Sequence, residues 1–136
     1  MSPYIHKVQY YETDKMKLTH HSNYIRIMEE ARLYFLEQIG WPYHKFEENG
    51  VISPVVSVTC DYKKTTTYPD VIEVDVSVID VKKLKFKLGY TMTVKGDIVC
   101  KATSTHCFLD KKAKPVAMNK NYPEMYETLL KNLKKL

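Results

Sequence analysis

From Tyr24 onward the apolar positions Tyr24, Ile27, Met28, Ala31, Tyr34 and Phe35 recur at steps of three and four, with Arg26, Glu29, Glu30, Arg32 and Glu37 largely opposite. That spacing predicts an amphipathic helix. It starts between Thr19 and Asn23, where the hydroxyl of Thr19 or Ser22 is placed to cap the first free amides. Gly40 ends it, with Pro42 just beyond. Upstream, YIHKVQYY at 4–11 has the tyrosine and β-branched content of a strand that ends at the carboxylates Glu12 and Asp14. Downstream the period changes to two. VVSVTCDY at 55–62 reads as a strand, and in VIEVDVSVIDV at 71–81 Ile72, Val74, Val76 and Val78 face one side while Glu73, Asp75 and Ser77 face the other. KKLKFKLGYTMTVK at 82–95 sets Leu84, Phe86, Leu88, Tyr90, Met92 and Val94 against lysines, threonines and Gly89. Lys95-Gly96-Asp97 then turns tightly into IVCKATSTHCFLD, a hairpin partner. A short C-terminal helix is predicted over 122–134, entered at Pro123, with Met125, Leu129, Leu130 and Leu133 on one side.

One strand, one long helix and four antiparallel strands define an α+β chain whose sheet curls around the helix and buries its apolar stripe. A sheet with an open edge must cover it, so a homo-oligomer is expected, a dimer or a tetramer built of dimers. The 136 residues fit a single domain over 1–136. Apolar and charged fractions of 44% and 27% are those of an ordinary soluble protein. No apolar run approaches the ~18 residues of a membrane span, and MSPYIHKVQYYETD lacks a secretory stretch, which predicts a cytoplasmic location. Cys60, Cys100 and Cys107 form an odd set without a C-x-x-C pair, so reduced thiols are expected. The net charge of +5 gathers at Lys63-Lys64, in the run from Lys82 to Lys87, and in the final KNLKKL, where cations suit a helix end.

Several chemistries drop out. Only four glycines exist, each alone, and no G-x-S-x-G elbow, Walker loop or G-x-G-x-x-G occurs. Cys100 and Cys107 point to opposite faces of one strand, and His106 points away from Cys107, which argues for core thiols rather than a nucleophile. His20 and His21 are neighbours that do not converge on one ion, and His6, His44 and His106 stand alone, so no metal and no cofactor is expected. Glu12, Asp14 and His21 remain, grouped around a helix N-terminus whose unpaired amides suit an anionic oxygen formed in acyl transfer. A carboxylate beside them can attack a carbonyl carbon or deprotonate a water. The plain alternative is that Asp14 closes a turn and His21 hydrogen-bonds the helix end.

The pattern Y-x-E-T-D, with x-H-x-N-Y following, then M-E-x-A-R and a terminal glycine, resembles the hot-dog-fold acyl-CoA thioesterases of the 4-hydroxybenzoyl-CoA thioesterase type over nearly the whole chain. The resemblance implies a hot-dog fold and hydrolysis of an acyl-CoA, or of an acyl group on an acyl carrier protein, in a pocket between subunits. It places the catalytic carboxylate at Asp14, the residue that begins the helix at His21, a substrate-binding tyrosine at Tyr24, a structural aspartate at Asp70, and a basic pair for coenzyme A phosphates at Lys82 and Lys83. Coenzyme A would be part of the substrate, not a cofactor. Glu12, read as two residues along an extended strand from Asp14, is placed to raise the Asp14 pKa or to be ion-paired. The chain departs from the family at Lys17, where a glycine is usual; a lysine there resists the close approach or positive φ that glycine permits. That departure favours a rival reading, a silent hot-dog domain that binds acyl-CoA or acyl carrier protein. A third reading, a basic β-rich nucleic-acid binder using lysines and some of the eleven tyrosines, is set aside because many of those tyrosines alternate with core residues or sit on the helix, so no nucleic-acid partner is expected.

Overall fold

The computed structural model describes residues 2–134. Five strands, β1 (Tyr4–Lys7), β2 (Val55–Tyr62), β3 (Val71–Val81), β4 (Lys85–Val94) and β5 (Asp97–Cys107), form one antiparallel sheet in the order β1-β3-β4-β5-β2. Helix α1 (Ser22–Gln38) lies on its inner face and buries Tyr24, Ile27, Met28, Ala31, Phe35 and Leu36. The sheet answers with Ile72, Val74 and Val78 from β3 and Phe86, Leu88, Tyr90 and Met92 from β4. This is the expected hot-dog arrangement, with the sheet open at β1 and β2. No helix among the described residues is long and apolar enough to cross a membrane.

The end of α1 follows from Gly40. At φ +91° it supplies the left-handed residue, and the bonds Gly40 N–H to Glu37 O (3.1 Å) and Trp41 N–H to Leu36 O (2.8 Å) close a Schellman turn. Pro42 does more than stop that helix: it is the N-cap of a second one, α2 (Tyr43–Glu48), whose Phe46 returns to the core against Trp41. The C-terminal helix is divided, with α3 (Met118–Asn121) and α4 (Pro123–Lys131) meeting at Tyr122, because Pro123 lacks the N–H that would continue the first. Met125 and Leu129 are buried as expected. Leu133 lies past the helix and pairs instead with Val78 on β3. Strand β4 begins only at Lys85, and Leu84 is exposed in the turn before it.

A polar ladder crosses the inner face of β4 and β5. Tyr90 Oη meets Ser104 Oγ at 2.6 Å, and Ser104 Oγ meets His106 Nε2 at 2.7 Å. Phe86 stacks on the imidazole at 5.0 Å. Burial, reinforced by the charge of Arg32, pushes His106 down from 6.5 to about 3. The unfolded chain therefore takes up a proton that the folded one refuses until about pH 3, so stability falls as pH drops from 6.5 towards 3. At pH 5 the loss from this group is about 2 kcal/mol. His106→Asn should flatten that part of a pH series of urea midpoints; equal slopes in the two proteins would assign the proton elsewhere.

Candidate functional site

Pairing of β1 with β3 stops early. The last bond is Val8 N–H to Asp70 O at 2.8 Å, and the chain then enters a 3₁₀ turn, Tyr10–Glu12, in place of the strand expected to residue 11. The cause is Glu12. Its Oε1 accepts the Gln9 N–H at 2.7 Å, and the same carboxylate meets His6 Nε2 at 2.9 Å and the Arg26 guanidinium. Burial pushes this carboxyl up, but the Gln9 amide, His6 and then Arg26 outweigh it and hold it below its usual range. Because the chain coils here, Glu12 turns inward and does not share a strand face with Asp14. Of its two expected roles, the ion pair is the one the structure contains. A sequence signal existed in Gln9-x-x-Glu12, a capping-box spacing.

Asp14 opens a tight loop. Thr13 and Thr19 pair across it, and Asp14 N–H bonds Leu18 O at 2.8 Å. Asp14 Oδ1 accepts the amides of Met16 (2.8 Å) and Leu18 (3.3 Å). Its Oδ2 has no protein partner among the described residues. The aspartate thus closes a turn and still presents one oxygen. Lys17 sits at φ +64°, with its carbonyl held by Thr67 Oγ1 at 2.5 Å, so the lysine adopts the conformation that a glycine would supply. Left-handed backbone costs a non-glycine residue about 1–2 kcal/mol, and a glycine's extra unfolded-state freedom offsets part of the relief. Lys17→Gly should stabilise the fold by about 0.5–1 kcal/mol in denaturant titration. A loss of stability would mean that the lysine side chain makes a contribution of its own.

The loop delivers the chain to α1. Glu12 O accepts His20 N–H (2.8 Å) and Asn23 Nδ2 (3.0 Å), tying the helix entrance to the buried carboxylate's own residue. His21 is the N-cap, already helical at φ −57° and ψ −29°, and no side chain caps this helix. The hydroxyls expected to do so are engaged elsewhere: Ser22 Oγ meets His20 Nδ1 at 2.8 Å, and Thr19 Oγ1 accepts from Thr66 at 2.6 Å. The backbone N–H of His21 has no hydrogen-bond partner among the described residues. Its imidazole is exposed, 4.2 Å from the His20 ring. Tyr62, at the end of β2, donates to His21 O at 3.4 Å.

Structure and expectation part at two places. Tyr24, expected against substrate, is 3% exposed and its hydroxyl meets Thr66 Oγ1 at 2.8 Å, so it pins the helix to the 66–70 segment. It opens the buried stripe that Ile27, Met28 and Ala31 continue at steps of three and four. Lys82 and Lys83 lie in the β3–β4 turn, whereas Asp14 lies by the opposite end of β3, beyond Val71; eleven residues of strand, roughly 35 Å, intervene. One protomer does not bring them together. Asp70 is a turn former, its Oδ2 accepting Thr67 N–H at 2.9 Å. Lys63 and Lys64 follow directly on Tyr62 and are the cations nearer the helix entrance in the fold.

A carboxylate with a free oxygen and a helix N-terminus with a free amide thus lie along one stretch of a hot-dog fold. The model of the thioesterase-like superfamily matches residues 8–133, and the chain belongs to that family. It is 37% identical to a protein of Aquifex aeolicus (strain VF5) provisionally named an esterase, over 90% of this chain and 94% of that one. It is 34% identical to YneP of Bacillus subtilis (strain 168), provisionally named an acyl-CoA thioesterase, with 88% of each chain covered. Among solved structures, a DHNA-CoA thioesterase from Staphylococcus aureus superposes with a TM-score of 0.90 at 29% identity, covering 96% of this chain and 89% of that one. The chain is a thioesterase, an enzyme that hydrolyses thioesters.

Proposed function

We propose that this protein hydrolyses acyl-coenzyme A thioesters at the entrance of α1, with Asp14 as base or nucleophile. The observation that supports it most is that two groups on the loop into α1, Asp14 Oδ2 and the His21 N–H, are unused among the described residues. As a base, Asp14 takes a proton from a water while that water's oxygen bonds to the carbonyl carbon. As a nucleophile, it attacks the carbon itself, and water then cleaves the acyl-enzyme. Either way the carbonyl oxygen gains negative charge, which the His21 amide and the dipole of a seventeen-residue helix stabilise. Collapse expels the coenzyme A thiolate. Its conjugate acid has a pKa of about 8.5 by analogy with cysteine, so it leaves without a strong general acid and is protonated by solvent. The His21 imidazole orients substrate or water.

The silent-domain reading loses its main support, because Lys17 takes the φ that was expected to exclude it. A phosphate contact by Lys82 and Lys83 reaches this site only from a second subunit. Edge strand β2 offers the means of pairing, since Val55, Val56 and Tyr62 are exposed along it. The deciding experiment is a thiol-release assay over acyl-CoAs of graded chain length, run beside direct binding. Turnover with at least one acyl group is expected; tight binding of every member without thiol release would return the silent reading.

A further inference from the structure

A second constellation lies further along α1. A cavity of about 830 Å³ opens between α1, α2 and the segment before β2, walled by Leu33, Leu36, Phe46, Val51 and Phe86. Arg32 also lines it, and no carboxylate among the described residues lies within ion-pair distance of its guanidinium. Arg26, on the same helix, shows the contrast: it is engaged by both Glu12 and Asn23. Two buried polar atoms at the same end of the sheet are also unpartnered. They are Ser53 Oγ, on the cavity wall, and Nδ1 of His106, whose ring is 1% exposed and stacks on the wall residue Phe86. Chain pairing keeps them close: Pro54 O bonds Cys107 N–H, and Val55 stands opposite His106.

The Arg32 guanidinium has the Tyr90 hydroxyl beside it but no carboxylate, and the Ser53 hydroxyl on the cavity wall finds no partner in the chain. Buried polar groups are costly without partners, and a guanidinium among apolar walls is best matched by a carboxylate taken in two parallel bonds. The acids at the rim, Glu29 and Glu47, are both exposed, and Lys111 stands beside them. Resting on the thioesterase reading above, we infer that this cavity selects acyl groups that end in a carboxylate, with Arg32 as the specificity-determining residue and Ser53 as a secondary donor. Arg32 is about 16 Å along the helix from His21, roughly three turns and so on the same side. A long acyl chain spans that distance within one subunit, whereas a short one requires the thioester of a partner.

The test uses matched thioesters that differ only at the far end: hexanoyl-CoA against adipoyl-CoA, dodecanoyl-CoA against dodecanedioyl-CoA, and benzoyl-CoA against 4-hydroxybenzoyl-CoA. For at least one of the first two pairs the carboxylated member should have a kcat/KM about tenfold higher. Arg32→Met should bring that ratio to near one, and Arg32→Lys should keep part of it. The length of the responding pair reports which subunit holds the thioester. A ratio unchanged by Arg32→Met would make Arg32 structural and overturn the inference, as would a preference for the plain acyl groups. A preference confined to the hydroxybenzoyl pair would overturn it too, by showing a site for a neutral hydroxyl. If no thioester is hydrolysed, the hydrolase reading falls, and the dissociation constants of the matched non-hydrolysable thioethers decide the inference alone, by the same ratios.

Discussion

Asp14→Asn is expected to lower kcat for acyl-CoA hydrolysis by about 10²–10⁴-fold, the contribution of a positioned base, and to leave the fold in place. The two halves of this expectation come from different oxygens. Asparagine retains a carbonyl oxygen where Oδ1 accepts the Met16 and Leu18 amides, so the loop still closes. At Oδ2, which has no partner in the protein, the substitution removes the charge and the ability to take a proton. Thiol release from the best acyl-CoA measures the first half, and a thermal melt within a few degrees of the parent measures the second. An undiminished rate would remove Asp14 from the reaction; a large drop in melting temperature would show the aspartate to be mainly a loop former.

The largest stability effect is expected at Glu12. Its side chain is fully buried, His6 is 11% exposed, and Arg26 is 42% exposed. Glu12→Ala strands a guanidinium and an imidazole and frees the Gln9 amide; breaking a buried pair costs about 3–5 kcal/mol, reduced here to about 2–4 because Arg26 reaches solvent. Urea denaturation measures it, and a loss below 1 kcal/mol would show that water replaces the carboxylate freely. The carboxyl is held below its usual range in the folded chain, so its contribution is complete above the unfolded pKa and fades as pH falls through the folded one. Activity should fall with stability, since Glu12 O also anchors His20 and Asn23 at the helix entrance.

What the residues revealed before any coordinates follows the range of the interactions involved. The period-two and period-3.6 patterns located α1 and four strands closely; in α1, β3, β4 and β5 the period is set by burial of one face, whereas β2, without a buried residue, was marked by its β-branched composition. Tyr10 and Tyr11 suggested a longer first strand, yet both are 76% exposed; a bond between Gln9 and Glu12 decides the backbone there against β propensity. Helix α2 escaped notice because only Phe46 of it is buried, too little for a period. The E-T-D and H-x-N-Y spacings drew attention to Asp14 and His21, whose unused Oδ2 and N–H the structure places at the entrance of α1. The partners of Glu12 were not legible, since His6 and Arg26 lie on different elements and only tertiary packing joins them. Tyr24 carried the apolar stripe and the family motif at once, and the structure buries it with its hydroxyl on Thr66. Arg32 read as one charge on a polar face; the cavity beside it is made by α2 and the 50–54 segment, which have no sequence periodicity.

The Asp14 loop is closed entirely from within: Thr13 against Thr19, Asp14 against Leu18, Thr67 against the Lys17 carbonyl, and Tyr24, Thr66 and Thr19 in a chain of hydroxyls. Such a loop has already surrendered its freedom when the protein folds. Under the proposed mechanism, an arriving thioester meets a carboxylate that need not be ordered first, and the free energy of holding the coenzyme is left to position the carbonyl instead of to immobilise the protein.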